Sequence, residues 1–340
     1  MAKIRFSTQL PVAGTFASPE NIVTAALEAE AHGYDVVTQR DHVEWDPELH
    51  AHHATQGHPT QGVEVGDPNL YECVSTLSYL AARTERIGLG TAIFLIPSRD
   101  PRVAAKQWST MDVLSKGRLL LGVGVGNISH KKELDKMGVP YMERGNLCDE
   151  FLMVMKELWT KPSVTFHGRY IHIDDFFMYP KPVQKPHPPI LIGGFGRRSQ
   201  RRTAELGDGW LPMHTVEGIG DGIEYIKRHA KEAGREHHPF IWGYKSYAII
   251  ARTEEEARRR HAASVHTITQ LTERSDVTRI SAEEQVARNL VGTPGEILRK
   301  LEKYVDIGVN FVDTSWNTGT FEEYLESVRL FGKEVIPSFK

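Results

Sequence analysis

Cysteine is scarce in this chain. The 340 residues hold two, Cys73 and Cys148. They lie far apart and match no metal or redox spacing, which excludes a disulfide framework and leads to the expectation of a reduced, cytoplasmic protein. Long apolar runs are missing as well: none approaches the length needed to span a bilayer. The N-terminal stretch passes straight into a strand-like run with neither a long apolar segment nor a cleavage site, so no signal peptide is expected. Charge of one sign is not in excess. Forty-one Lys and Arg against 44 Asp and Glu leave a formal charge of −3, which gives no general affinity for nucleic acid or an anionic membrane.

What is present is ordinary for a globular protein: 40% hydrophobic and 25% charged residues. The length suits one large α/β domain or two average ones. Strand-like runs alternate with amphipathic helices. Eight strands are expected at Ile4–Leu10, Asp35–Thr38, Ile87–Phe94, Arg118–Val123, Ile190–Gly193, Gly209–Leu211, Trp242–Ala251 and Asn310–Ser315. Helices are expected after Ser18, which caps a first-position Pro19, and at Asn69–Thr84, Arg102–Ser115, Glu143–Trp159, Ser199–Leu206 and Gly220–Gly234. Thr253–Val291 reads as charged and mostly helical. Thr293, Pro294 and Glu296 open a further helix with a capping box, and a last one starts near Thr320. Val164–Pro182 breaks the rhythm as a short β excursion followed by a proline-rich connector.

One junction recurs: a helix closes on glycine and a strand follows at once, at Gly33, Gly117, Gly207 and Gly308. Glycine suits a left-handed helix terminus, and such short links belong to parallel βα repeats. Eight strands so connected predict an α/β fold, a single (β/α)8 TIM barrel over residues 1–340, with an insertion between strands four and five and a helical insertion after strand seven. A doubly wound sheet split into two domains is the alternative arrangement.

In such a barrel the chemistry lies at the C-terminal ends of the strands. Strand two is followed by Asp41 and His42. A histidine there can move a proton on a substrate oxygen, or it can simply cap or pack. The next loop, Val43 to Asp67, carries His50, His52, His53 and His58, which read either as a solvated lid or as a metal site. Strand four ends in Gly122, Gly124, Val125, Gly126 and Asn127. The third glycine comes one place too early for a dinucleotide fingerprint, and the expected role is close backbone approach to a flat ring or phosphate, or tight barrel packing. Strand five ends in Gly193, Gly194, Phe195 and Gly196, then Arg197, Arg198 and Ser199 at a helix start, a pattern suited to an anion; Arg201 or Arg202 is expected on a solvated helix face. Trp45, Trp242 and Trp316 are candidates for a substrate-pocket wall, or plain core.

These same segments carry a family likeness. Gly33 to His42, Arg86 to Pro97, Asp100 to Gln107, Leu114 to Gly124, Pro180 to Gly194 and Ala204 to Trp210 stand in the order and spacing of the bacterial-luciferase-like superfamily of flavin monooxygenases and deazaflavin-dependent oxidoreductases, which the chain resembles over nearly its whole length. The resemblance implies an oxidoreductase, usually a homodimer, with an isoalloxazine-type ring in the barrel mouth. It places the family's catalytic histidine on His42 and a non-proline cis peptide of the third strand on Ala92–Ile93. It puts cofactor contacts on Asp41, Ala92, Ile93, Gly124, Val125, Gly126, Asn127, Gly193, Gly194, Phe195, Gly196 and Ser199. From position alone, Trp45 and Trp316 are expected to contact substrate, and with no second ligand cluster at fixed spacing no resident metal is expected. Val125 stands where the luciferases proper have arginine, and Gly194, Phe195 and Gly196 replace their polar phosphate ligands. This turns the expectation toward the deazaflavin coenzyme F420 and hydride transfer to or from a small organic substrate. Asn127 stands where some deazaflavin sugar-phosphate dehydrogenases have an acid, so their substrate does not carry over. The alternative is an FMN-dependent monooxygenase that uses reduced flavin and O2 and needs a partner flavin reductase.

Overall fold

In the computed structural model, which describes residues 4–44, 69–272 and 286–340, parallel strand pairing runs all the way round a closed ring. The strands are β1 (Arg5–Gln9), β2 (Val36–Gln39), β3 (Gly88–Leu95), β4 (Leu119–Gly124), β5 (Val164–His167), β6 (His172–Phe176), β7 (Ile190–Gly193), β8 (Gly209–Leu211), β9 (Ile241–Ile250), β10 (Leu290–Gly292) and β11 (Phe311–Trp316). The ring runs β1–β2–β3–β4–β7–β8–β9–β11 and closes from β11 onto β1, with every pair parallel. This is an eight-stranded (β/α)8 barrel.

Around it lie α1 (Pro19–Ala31), α2 (Cys73–Ala81), α3 (Pro101–Leu114), the short α4 (Lys131–Lys136), α5 (Arg144–Thr160), α6 (Arg197–Leu206), α7 (Val216–Glu232), α8 (Glu254–Thr272), α9 (Pro294–Asp306) and α10 (Phe321–Glu334). Their starts follow local chemistry. The Ser18 hydroxyl accepts from the Asn21 amide ahead of Pro19. The Thr293 hydroxyl and the Glu296 carboxylate exchange bonds across the first turn of α9. No helix among the described residues is long and apolar enough to cross a membrane.

Two side-chain layers result from the alternation of the strands. Val36, Ala92, Leu120, Leu191, Leu211 and Phe311 form an inner cluster. Their neighbours in sequence, such as Val37, Leu121, Ile192 and Val312, join the larger cluster between sheet and helices. Further along the same inward rows the interior turns polar. Asp313, two residues beyond Phe311, accepts from Ser7 Oγ at 2.6 Å and Thr38 Oγ1 at 2.7 Å and pairs with Lys245 Nζ at 2.7 Å. Gln9 then donates to the Ala92 carbonyl and accepts from the Ser315 hydroxyl. An apolar plug thus gives way to a hydrogen-bonded polar layer toward the C-terminal ends of the strands.

Two expectations need correction. Leu290–Gly292 is a strand, parallel to the end of β9, and not the tail of a helix; three residues are too few to show a period. Of the four glycine junctions, Gly33, Gly117 and Gly308 have positive φ, whereas Gly207 lies at φ −85°. A Cβ at Gly207 would come within 2.8 Å of Ile192 Cγ1, so space and not handedness requires glycine there. The expected β excursion is present: β5 and β6 pair as an antiparallel hairpin between the fourth and fifth barrel strands. Its turn is tied to α5 by the buried Glu150 carboxylate, which accepts the amides of Arg169, Tyr170 and Ile171.

Candidate active site

The segments that leave β2, β3, β4 and β7 carry the candidate residues, and their contacts link them at one end of the barrel. The peptide between Ala92 and Ile93 is cis, and the β3–β4 register shifts between Thr91 and Phe94. Beyond it the Ile93 side chain lies across two glycines. A Cβ on Gly193 would stand 1.7 Å from Ile93 Cδ1, and one on Gly124 would stand 2.9 Å from Ile93 Cγ2. These glycines, expected to admit a ring or phosphate directly, first admit Ile93. The half-buried isoleucine is the apolar plate, and the glycines are its seat.

His42 is buried directly after β2. Its Nδ1 lies 3.2 Å from Glu133 Oε2, and its ring is stacked on that of His130 at 4.9 Å and 15°. Glu133, on α4, is itself buried; its second oxygen accepts the amides of Val43 at 2.6 Å and Glu44 at 3.2 Å. Burial acts to raise the Glu133 carboxyl, but the His42 hydrogen bond and charge and the two amides outweigh it and hold the group below its usual range. His130 is placed by Asn127, whose Oδ1 lies 2.9 Å from His130 Nδ1, and by Gly126, at φ +74°, where a Cβ would press on the imidazole's own Cβ at 2.9 Å.

The donor atoms of His42, His130 and Glu133 lie within 4.8 Å of one another, so these residue types are those of a metal site. Two rings stacked nearly parallel, however, keep their in-plane lone pairs in separate planes that do not converge on one point, and the arrangement suits proton transfer better than chelation.

At the end of β7, Gly194 has φ +95° and its neighbour Phe195 is exposed, edge-on to His214. Gly196 is the N-cap of α6, where no side chain caps the first turn and an added Cβ would meet nothing within 4 Å. Ser199 turns inward, donating to the Gly196 carbonyl. The first turn of α6 thus has no side-chain cap, an arrangement that suits an anion. Arg197 lies over the Tyr225 ring and bonds Gln200, and the exposed Arg201 pairs with Glu205. Arg202 is not on the solvated face: it is buried against α5, bonded to Asp149 and the Gly145 carbonyl.

Other placements also change. Asp41 is not aimed at a ligand. Its carboxylate takes a two-pronged bond from Arg99, at 2.6 and 2.8 Å, with the Leu95 amide and the Cys73 thiol as further donors, and so fastens the end of β2 to that of β3. Trp316 is not a pocket wall either. It is fully buried on the outer side of β11, donating to Thr8 Oγ1 and packed edge-on to Phe331; its strand alternates, and Ser315 takes the inward place. Val125 packs against the outer core, and Asn127 is exposed. Trp45 and the His50–His58 group lie outside the described residues. Glu133 and His130 were missed by sequence reasoning, since nothing in the local pattern links a short helix after β4 to the residue after β2.

A parallel barrel with its ionisable and glycine-rich segments gathered at the strand C-termini is the framework of an enzyme built for a small substrate and an anion-bearing cofactor. Its family is established by comparison: residues 2–310 match the luciferase-like monooxygenase model, and the chain belongs to that family, whose members are oxidoreductases. It is 29% identical over 299 residues, 80% of this chain and 79% of the other, to an FMNH2-dependent dimethylsulfone monooxygenase of Pseudomonas putida. It is 26% identical over 344 aligned positions, 95% and 94% of the two chains, to an F420-dependent glucose-6-phosphate dehydrogenase of Microbacterium testaceum. Among solved structures, an F420-dependent secondary alcohol dehydrogenase in complex with an F420–acetone adduct superposes with TM-score 0.78 over 99% of both chains at 17% identity, a likeness of fold.

Proposed function

We propose that this protein exchanges a hydride between a deazaflavin of the coenzyme F420 type and a small organic substrate, either an alcohol–carbonyl pair or an activated double bond, with His42 giving or taking the proton on the substrate side. The observation that carries the reading is the buried imidazole of His42 set against the Glu133 carboxylate beside the C-terminal end of β3. A group of this type transfers protons near neutral pH. The site also fits a ring-and-phosphate cofactor: Ile93 on its glycine seat offers an apolar surface, while Gly194 to Ser199 and Arg198 offer uncapped amides and positive charge. When bound, the deazaflavin supplies the two-electron redox chemistry that no side chain possesses. Ile93, Gly124 to Asn127 and Gly194 to Ser199 would hold it. His42 holds the proton. The Gly194–Phe195–Gly196 run, in place of polar flavin-phosphate ligands, favours the deazaflavin.

The second reading is an FMN-dependent monooxygenase that receives reduced flavin from a separate reductase. It is favoured by the 29% identity to the dimethylsulfone monooxygenase. Fluorescence titration of the purified protein with F420 and with FMN separates the two. Micromolar F420 binding with FMN at least tenfold weaker is expected; the reverse order would replace the first reading with the second. His42→Ala is expected to lower kcat by about 10²–10⁴ while the cofactor Kd stays unchanged; unaltered turnover would remove His42 from the mechanism.

A further inference from the structure

Glu133 sits on a six-residue helix, α4, far in sequence from the histidine it meets. Its two oxygens do different things. Oε1 accepts two backbone amides, Val43 and Glu44, directly after His42. Oε2 is turned to His42 Nδ1 at 3.2 Å. An ionised carboxylate is an acceptor only, so the nitrogen facing it carries the proton. In the neutral ring the lone pair is therefore on Nε2. The His130 ring covers one face of the imidazole at 4.9 Å, and Asn127 holds His130 in turn. The imidazole is thus fixed at one edge and on one face.

From this we infer that Glu133 is a positioning residue. It sets the Nδ1–H tautomer of His42 and its orientation, so that Nε2 is the atom that takes the substrate hydroxyl proton, and it balances the imidazolium that then forms. The inference rests on the proton-transfer role given to His42 above. In the oxidising direction the proton moves from the substrate O–H to Nε2, while the hydride leaving the same carbon accounts for the electron pair and goes to the oxidised deazaflavin. The reverse direction returns both. The two amide bonds add a second function: the same carboxylate fixes the backbone that follows the imidazole, so ring and main chain move as one unit. Lys136, one turn further along, pairs with Glu44 and reinforces that attachment.

The isosteric change Glu133→Gln makes a sharp test, because glutamine has one acceptor end and one donor end where glutamate has two acceptors. If its oxygen serves the two amides, its NH2 faces Nδ1, which must then become an acceptor, and the ring proton moves to Nε2. Nitrogen-15 NMR of histidine-labelled apoprotein reads this directly without cofactor or substrate. In the unaltered protein the neutral His42 ring is expected to carry its proton on Nδ1; in Glu133→Gln it is expected on Nε2, with kcat about a hundredfold or more lower and the cofactor Kd unchanged. A wild-type ring protonated on Nε2 overturns the inference before any variant is made. So does a variant that keeps the Nδ1 proton, or one that shifts the tautomer yet turns over at the wild-type rate. Failure of the cofactor assignment has a different signature: the tautomer shift is present, but the wild-type protein neither binds nor turns over the deazaflavin.

Discussion

Single residues at the barrel mouth are held by neighbours distant in sequence, and the tightest fit is between Ile93 and Gly193. An added methyl at Gly193 cannot be accommodated while Ile93 keeps its place, because the gap would be 1.7 Å. Gly193→Ala is therefore expected to displace the isoleucine and cost about 1–3 kcal/mol of stability, seen as a lower Tm. It is also expected to weaken cofactor binding at least tenfold, and a variant with wild-type Tm and Kd would show that Ile93 has room to move. At this scale the sequence was only partly legible. His42 could be singled out because it follows a strand in a repeating βα pattern. Asp41 beside it carried the same signal, yet its carboxylate is consumed by Arg99, the Leu95 amide and Cys73. Adjacent residues at a strand end point to different sides, and the partner on each side belongs to another part of the chain.

Among the elements, α6 best shows how local sequence and tertiary setting divide the work. Four arginines occur in its ten residues, Arg197, Arg198, Arg201 and Arg202. The sequence alone does not rank them. In the fold Arg197 stacks on α7, Arg201 pairs within its own helix and Arg202 anchors to α5, while the exposed Arg198 has no ion pair among the described residues. Arg198 is thus the cation of the first turn available to an anion arriving at the α6 amides. Arg198→Glu is expected to raise the cofactor Kd by about tenfold, on the order of 1.4 kcal/mol, with the effect shrinking at high salt. A Kd that does not change would place the cofactor's anionic end elsewhere. The elements themselves were well forecast where a capping residue or a long period marks them, as for α1 and α9. Prediction failed at β10, whose three residues become a strand only because the end of β9 lies alongside.

For the molecule as a whole, acid is the condition expected to expose what holds it together. Hydrogen bonds from Arg329 and Arg102 hold Glu28 and Asp100 below the usual carboxylate range. Glu72 and Glu133 are held there too, although burial pushes them up, by backbone amides and, for Glu133, by His42. Each group binds its proton less readily folded than unfolded. The stabilisation is therefore fully present above the unfolded carboxyl value of about 4–4.5 and is lost as pH falls through the lower folded values. Tm should hold steady near pH 6 and decline progressively below about pH 4.5, as differential scanning calorimetry would record; a Tm flat from pH 5 to pH 3 would mean these bonds are matched in the unfolded chain.

By itself the sequence determined the repeat: alternating runs, helix caps and glycine stops act over a few residues, and their period survives without knowledge of what packs where. It therefore pointed to the barrel ahead of a doubly wound sheet, and to the imidazole at position 42 as a candidate. Only the closed ring decided the rest. Closure brings α4 over the end of β2, seats Ile93 on glycines from β4 and β7, and turns Trp316 outward and Asp313 inward. These outcomes depend on contacts between segments tens to hundreds of residues apart, and neither propensity nor local spacing encodes such distances.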